Sequence, residues 1–218
     1  MRGRLWILVI AAGIAAAQFC RIAAGAWAST TPALAVNQML DRRRIASLDL
    51  KANLARAAGQ RLEASAAANE LIRLHQSRLA GSDLPRWERG VSYEAMAVVK
   101  FQEGETDASE RLAVQALREQ PNLADASGVL VQTAVNRAND AVIAGDPSRA
   151  VDEIQNVLRW PLSEIWQVNA LYQLGRFLEQ AGRKQEAREA FERVVNEHPS
   201  LPNWVERASE ALARLSEH

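Results

Sequence analysis

The chain has 218 residues, a formal net charge of zero, 48% hydrophobic side chains and only 6% aromatic ones. That length suits one ordinary domain with a short appendage. Apolar content this rich in alanine suits closely packed helices rather than a sheet core, which draws on Val, Ile and aromatics. The balanced charge lacks the basic footprint of a nucleic-acid binder, and Cys20, the single cysteine, excludes an intrachain disulfide.

Residues 1–28 read as an export or membrane segment. Arg2 and Arg4 precede an uninterrupted apolar run from Leu5 to Ala17, and no acidic residue occurs before Asp41. Two readings stand. Ala26-Trp27-Ala28 is a small-x-small cleavage site, which predicts a signal peptide removed before Ser29. The full span from Leu5 to Ala28 is long enough for a transmembrane anchor, with Trp6 and Trp27 at the two interfaces and Arg21 snorkelling. Phe19 before Cys20 does not fit the small residue that a lipoprotein signal requires. Either way the leading arginines stay in the cytoplasm, and the body is exported. Without residues 1–28, 23 basic side chains face 26 acidic ones, a mildly acidic body.

Residues 29–44 predict a short helix from Pro32 to Leu40, separated from the next by Asp41-Arg42-Arg43-Arg44. Two helices, 45–58 and 61–80, then make a first hairpin, and Gly81 to Pro85 a linker. A second hairpin pairs 87–103 with 107–119, and Asp107 with Glu110 reads as a capping box. Asn122 reads as the cap of a long helix from Leu123 to Ala144 that tolerates Gly128 only if something packs closely there. Asp146-Pro147 is a strong helix start, with the helix ending at Arg159 before Trp160-Pro161. Ser163 reads as the next cap, and Ser200 opens a final helix to Ser216. Val205, Ala208, Ala211, Leu212 and Leu215 form one apolar stripe there, opposite Glu206, Arg207, Glu210 and Arg214.

The most patterned stretch runs from Val168 to Pro199. Leu171, Leu174 and Leu178 share one helix face, with Gly175 on the same stripe leaving room for a second helix. Gly182 ends the first helix as a left-handed cap. Ala187, Ala190, Phe191 and Val194 form the apolar face of the second, and Pro199 stops it. In residue types and spacing this resembles the tetratricopeptide repeat (TPR), a helix–turn–helix unit of 34 residues.

Anchoring on the turn glycine extends the pattern. Gly59, Gly104, Gly145 and Gly182 each have a small residue five positions later: Ala64, Ser109, Ala150 and Ala187. Seven positions earlier stand Ala52, Ala97, Ala138 and Gly175, and twelve later Leu71, Ala116, Val157 and Val194. The glycine spacing shrinks from 45 to 41 to 37 residues, so the earlier units need longer helices or connections. Lys51 and Arg137 occupy positions where the family has a core leucine. The expected fold is all-α. An N-terminal hydrophobic segment (1–28) and a short linker region (29–44) precede a repeat domain over 45–218. That domain is an α-solenoid of TPR-like hairpins over 45–80, 86–121, 123–161 and 163–199, closed by a capping helix at 200–216.

No catalytic constellation, metal spacing or phosphate loop is present. His75, His198 and His218 are scattered, and no cofactor or small-molecule substrate is expected. The resemblance implies a non-catalytic scaffold whose first helices line a groove for a partner peptide or helix. By register that groove shows Asn53, Arg56, Glu94, Phe101, Asn136, Asn139, Asn169, Tyr172 and Arg176. Asparagine amides can meet both donors and acceptors of a peptide backbone. The basic side chains of a carboxylate-clamp TPR are not all in place. Trp87, Trp160, Trp166 and Trp204 are read as plugs at the joints between hairpins, with Trp160 and Trp166 as alternative anchors for a partner. The order of anchor, short helix and degenerate repeats is similar to TPR proteins of bacterial envelope or exopolysaccharide machinery. That predicts an inner-membrane protein with its body in the periplasm, or a soluble periplasmic or secreted form after cleavage at Ala28. The competing function is a self-associating structural component of an envelope assembly, and an accessory subunit of an enzyme stands behind both.

Overall fold

A computed structural model describes residues 32–81 and 84–216, with side chains from Met39 onward. The expected export segment lies outside the described residues. The chain divides into two compact units, Met1–Ala80 and Gly81–His218, so the first hairpin forms a unit of its own and the three that follow form another. The first unit holds α1 (Pro32–Ala57) and α2 (Arg61–Leu79). The second holds α3 (Arg86–Gln102), α4 (Thr106–Glu119), α5 (Ala124–Ile143), α6 (Pro147–Val157), α7 (Glu164–Gln180), α8 (Lys184–Glu197) and α9 (Pro202–Ser216). Both units are built of TPR-like helical hairpins, stacked in the second as an α-solenoid.

One helix, α1, replaces the expected short helix and its break at 41–44. No glycine or proline lies between Pro32 and Gly59, and arginine is a good helix former. A run of charge therefore does not interrupt the hydrogen-bond ladder, and Arg44 reaches across to pair with Glu70 on α2.

The four turns are built alike. Gly59, Gly104, Gly145 and Gly182 have φ of 75°, 80°, 81° and 73°, a region that favours a residue without Cβ. Each glycine N–H donates three residues back, as Gly182 does to Glu179 O at 3.0 Å. The next N–H donates five residues back, as Arg183 does to Leu178 O at 2.9 Å. The same pair recurs at Gly59–Gln60, Gly104–Glu105 and Gly145–Asp146. This pair of hydrogen bonds satisfies two carbonyls at each helix end and reverses the chain in one geometry four times. The aligned small positions follow: Ala52, Ala97, Ala138 and Gly175 are all buried, as are Ala64, Ser109, Ala150 and Ala187. The extra length of the earlier repeats lies in α2, with 19 residues, and α5, with 20.

In the second unit each helix packs on its successor, and the first helices of successive hairpins also meet, α3 on α5 and α5 on α7. Among the described residues the second helices α4, α6 and α8 make no such contact with one another. The stack therefore curves, with α3, α5 and α7 on its inner side. Close approach depends on missing side chains. A Cβ on Gly175 would stand 2.6 Å from Phe191 Cε1, and one on Gly128 would stand 2.8 Å from the Trp166 ring. Gly128 thus has the close partner that its helix-interior position requires.

Helix starts differ from expectation in four places. Asp107 and Glu110 form no capping box; α4 begins at Thr106, and both carboxylates face Arg137 of α5, at 3.4 and 2.6 Å. That pairing explains how a cation occupies a leucine position: the half-buried stem packs, and the guanidinium meets two carboxylates. Asn122 does not cap α5 either. It adopts φ 64°, and its N–H bonds Pro161 O at 3.0 Å, stitching two inter-helix loops together. Ser163 precedes α7 but makes no side-chain cap bond, its hydroxyl being buried without a hydrogen-bond partner. The final helix opens at Pro202 rather than at Ser200, whose hydroxyl donates to Glu164 at 3.1 Å. Asp146 does cap as expected, accepting from Arg149 N at 3.0 Å.

The α5 start is capped from another helix. Glu94 of α3, only 8% exposed, accepts from Asp125 N at 2.9 Å and Ala126 N at 3.1 Å. A carboxylate on free amides at a helix N-terminus gains from both hydrogen bonding and the helix dipole. Glu94→Ala is expected to lower unfolding free energy by about 1–3 kcal/mol, since two amides lose a charged acceptor. Glu94→Gln should recover part of it. Urea denaturation measures both, and an Ala variant as stable as wild type would contradict the cap.

Candidate functional site

The inner side of α3, α5 and α7 carries side chains in a strict register. Thirteen, nine and six residues before the turn glycine stand Gln132, Asn136 and Asn139 on α5, then Asn169, Gln173 and Arg176 on α7. Each triplet is spaced four then three, so each shares one helix face. On α3 the same positions are Val91, Ala95 and Val98. Since α5 packs between α3 and α7, the inner face grades from apolar on α3, to amide on α5, to amide plus cation on α7.

Gln132, Asn136, Asn139 and Arg176 are exposed, while Asn169 and Gln173 are half-buried. Within each helix the groups order one another: Gln132 Nε2 donates to Asn136 Oδ1 at 3.2 Å, and Arg176 Nη1 donates to Gln173 Oε1 at 3.1 Å. These bonds cost little to exchange for a ligand's, because all are near solvent. Gln132, Gln173 and Val91 are absent from the sequence candidates, although the turn-glycine register that yields Asn139 and Arg176 also yields them.

The remaining sequence candidates separate into different settings. Asn53 and Arg56 lie on α1, in the first unit, where Arg56 donates to Asn53 Oδ1 at 3.1 Å and Asn53 to Asp49 at 3.3 Å. Glu94 is a helix cap rather than a groove side chain, and Phe101 packs on the core. Tyr172 is no open-face residue: it is 9% exposed, its ring 5.5 Å from Phe191 and 5.6 Å from Trp204, with the Arg207 guanidinium 5.0 Å away. The reason is α9, which lays Trp204 and Arg207 over that position. Trp166 covers Gly128 between α5 and α7, and Trp160 is half-buried with Arg118 at 5.5 Å. Both act at joints. Trp87, at the start of α3, is 37% exposed.

Among the described residues no three His, Cys, Asp or Glu side chains stand together as metal ligands would. His198 Nδ1 lies 3.5 Å from Glu164, which also accepts from Ser200, and this cluster ties the start of α7 to the α8–α9 connection. Among the described residues no helix is long and apolar enough to cross a membrane.

A tetratricopeptide-repeat family model matches residues 169–200, the hairpin of α7 and α8 that includes Asn169, Tyr172 and Arg176. No curated protein matches the chain.

Proposed function

We propose that this chain is a non-catalytic scaffold of the cell envelope, binding a partner polypeptide along the inner face of α3, α5 and α7. The repeat match supports protein–protein interaction as the general role. One observation carries the finer reading. Two neighbouring helices present Gln132, Asn136 and Asn139 beside Asn169, Gln173 and Arg176 at identical register. Side-chain amides donate and accept at once, so they can pair with the backbone of an extended segment. Arg176 adds a fork for an acidic side chain, and Val91 and Val98 an apolar end.

The test is Asn139→Ala combined with Arg176→Ala. Both side chains are exposed, so the melting temperature should stay within a few degrees of wild type. Capture of partner from solubilised envelope should weaken about tenfold or more, equivalent to about 1.4 kcal/mol. Unchanged capture, with loss on replacing Trp160 or Trp166, would move binding to the inter-repeat joints.

In this reading residues 5–28 anchor the chain in the inner membrane, with the repeats in the periplasm. Cleavage after Ala28 is the alternative, giving a soluble exported body. Retention of the N-terminal segment in the membrane pellet after a carbonate wash supports the anchor, and recovery of a soluble form starting at Ser29 overturns it.

A further inference from the structure

The first unit carries an apolar stripe that its own hairpin does not use. Met39, Leu40, Leu50 and Leu54 of α1 are 54%, 56%, 50% and 49% exposed, four of the nine large apolar side chains exposed among the described residues. At the helical period they fall within an arc of about 100°, over about 22 Å of helix. The packed side, Ala52 and Ala55 at 1% and 4% exposure against α2, lies opposite. Arg43 stands in the middle of the exposed arc, with Lys51 just beyond its rim. The helix thus has two apolar faces, one covered and one bare, and the bare one carries Arg43 with Lys51 at its edge.

We infer that this face of α1 lies on an anionic phospholipid surface, with its apolar side chains in the boundary between headgroups and acyl chains. The composition fits that layer: a guanidinium pairs with lipid phosphates through its fork while its stem lies along apolar neighbours. A second copy of the chain fits less well. A symmetric helix pair would enclose Arg43 of both copies in an apolar seam, with no carboxylate on that arc to meet either. The length of chain preceding the helix agrees. If residues 5–28 span the bilayer, three residues separate Ala28 from Pro32, a reach of at most about 14 Å. The start of α1 is then held at the headgroup layer. In this respect the inference rests on the anchored reading above.

The experiment uses the full chain with Cys20→Ser and a single cysteine at Leu50, carrying an environment-sensitive fluorophore. It is reconstituted into phosphatidylcholine vesicles with and without phosphatidylglycerol. In anionic vesicles the label at 50 should shift to the blue and be quenched by nitroxide-bearing lipid, and a label at Asn139 should not. Arg43→Glu with Lys51→Glu should cause loss of most of the quenching at 50. A label at 50 that remains in water on anionic vesicles overturns the inference. Shielding without lipid quenching, with cross-linked dimers through residue 50, assigns the face to a second copy and also overturns it. Failure of the anchor shows separately: a chain released by carbonate but bound through residue 50 to anionic vesicles at neutral pH overturns the anchor and supports the α1 surface.

Discussion

Gly175→Leu is expected to lower the melting temperature of the repeat body by roughly 6–12 °C, corresponding to about 3 kcal/mol. Even the first added carbon would stand 2.6 Å from Phe191 Cε1. Phe191 has no room to retreat, because it is fully buried and its ring packs on that of Tyr172, centroids 5.5 Å apart. Separation of α7 from α8 is then the only relief, and it exposes the apolar faces of both helices. Gly175→Ala should show a smaller loss, and combining it with Phe191→Leu should restore part of it, since the flexible side chain vacates the ring's place. Thermal unfolding by circular dichroism reads all three. Equal melting of Gly175→Leu and wild type would mean that the two helices do not pack through this contact.

The second large effect concerns acid. His75 on α2 is 2% exposed, and neither ring nitrogen has a hydrogen-bond partner. Burial, helped by the nearby positive charge of Arg78, lowers its pKa from 6.5 to about 4. Above about pH 6.5 the imidazole is neutral in both the folded and unfolded chain, so no penalty arises. Between 6.5 and 4 the unfolded chain takes up the proton and the folded one does not, so stability falls as pH falls. Below about 4 both states are protonated and the loss levels off, at a total of about 3 kcal/mol. The cost falls on the α1–α2 hairpin, and hydrogen exchange of its amides measures it. In His75→Leu the decline across that window should disappear. An identical acid profile in the variant would assign the loss to other groups.

Much of the fold is readable in the linear pattern because each repeat marks itself with residues that have no substitute. A left-handed turn favours glycine, and a close helix contact wants glycine, alanine or serine, so Gly59, Gly104, Gly145 and Gly182 line up with their small partners in the bare sequence. What stays hidden is decided between elements. The continuity of α1 through residues 41–44 turns on the absence of a breaker, and charge says nothing about that. Glu94 caps amides 31 and 32 positions away, which no local capping motif reveals. Tyr172 has the register of an inner-face residue, but the placement of Trp204 and Arg207 from α9 covers it. The inner face differs from these cases: Gln132 and Gln173 follow from the glycine register alone, once it is carried through every repeat.

The uneven contacts of the two helix layers give the second unit a directional elasticity. The inner helices α5 and α7 already meet where the Trp166 ring occupies the space over Gly128, so a tighter curvature compresses a closed contact. Among the described residues the outer helices α4, α6 and α8 are separated from one another, and a flatter stack brings them closer together. Each joint contributes a small rotation, and the hydrogen bonds of the four glycine turns do not have to break, because those bonds lie within hairpins. The stack therefore flattens more readily than it tightens, in the manner of a spring wound to its stop.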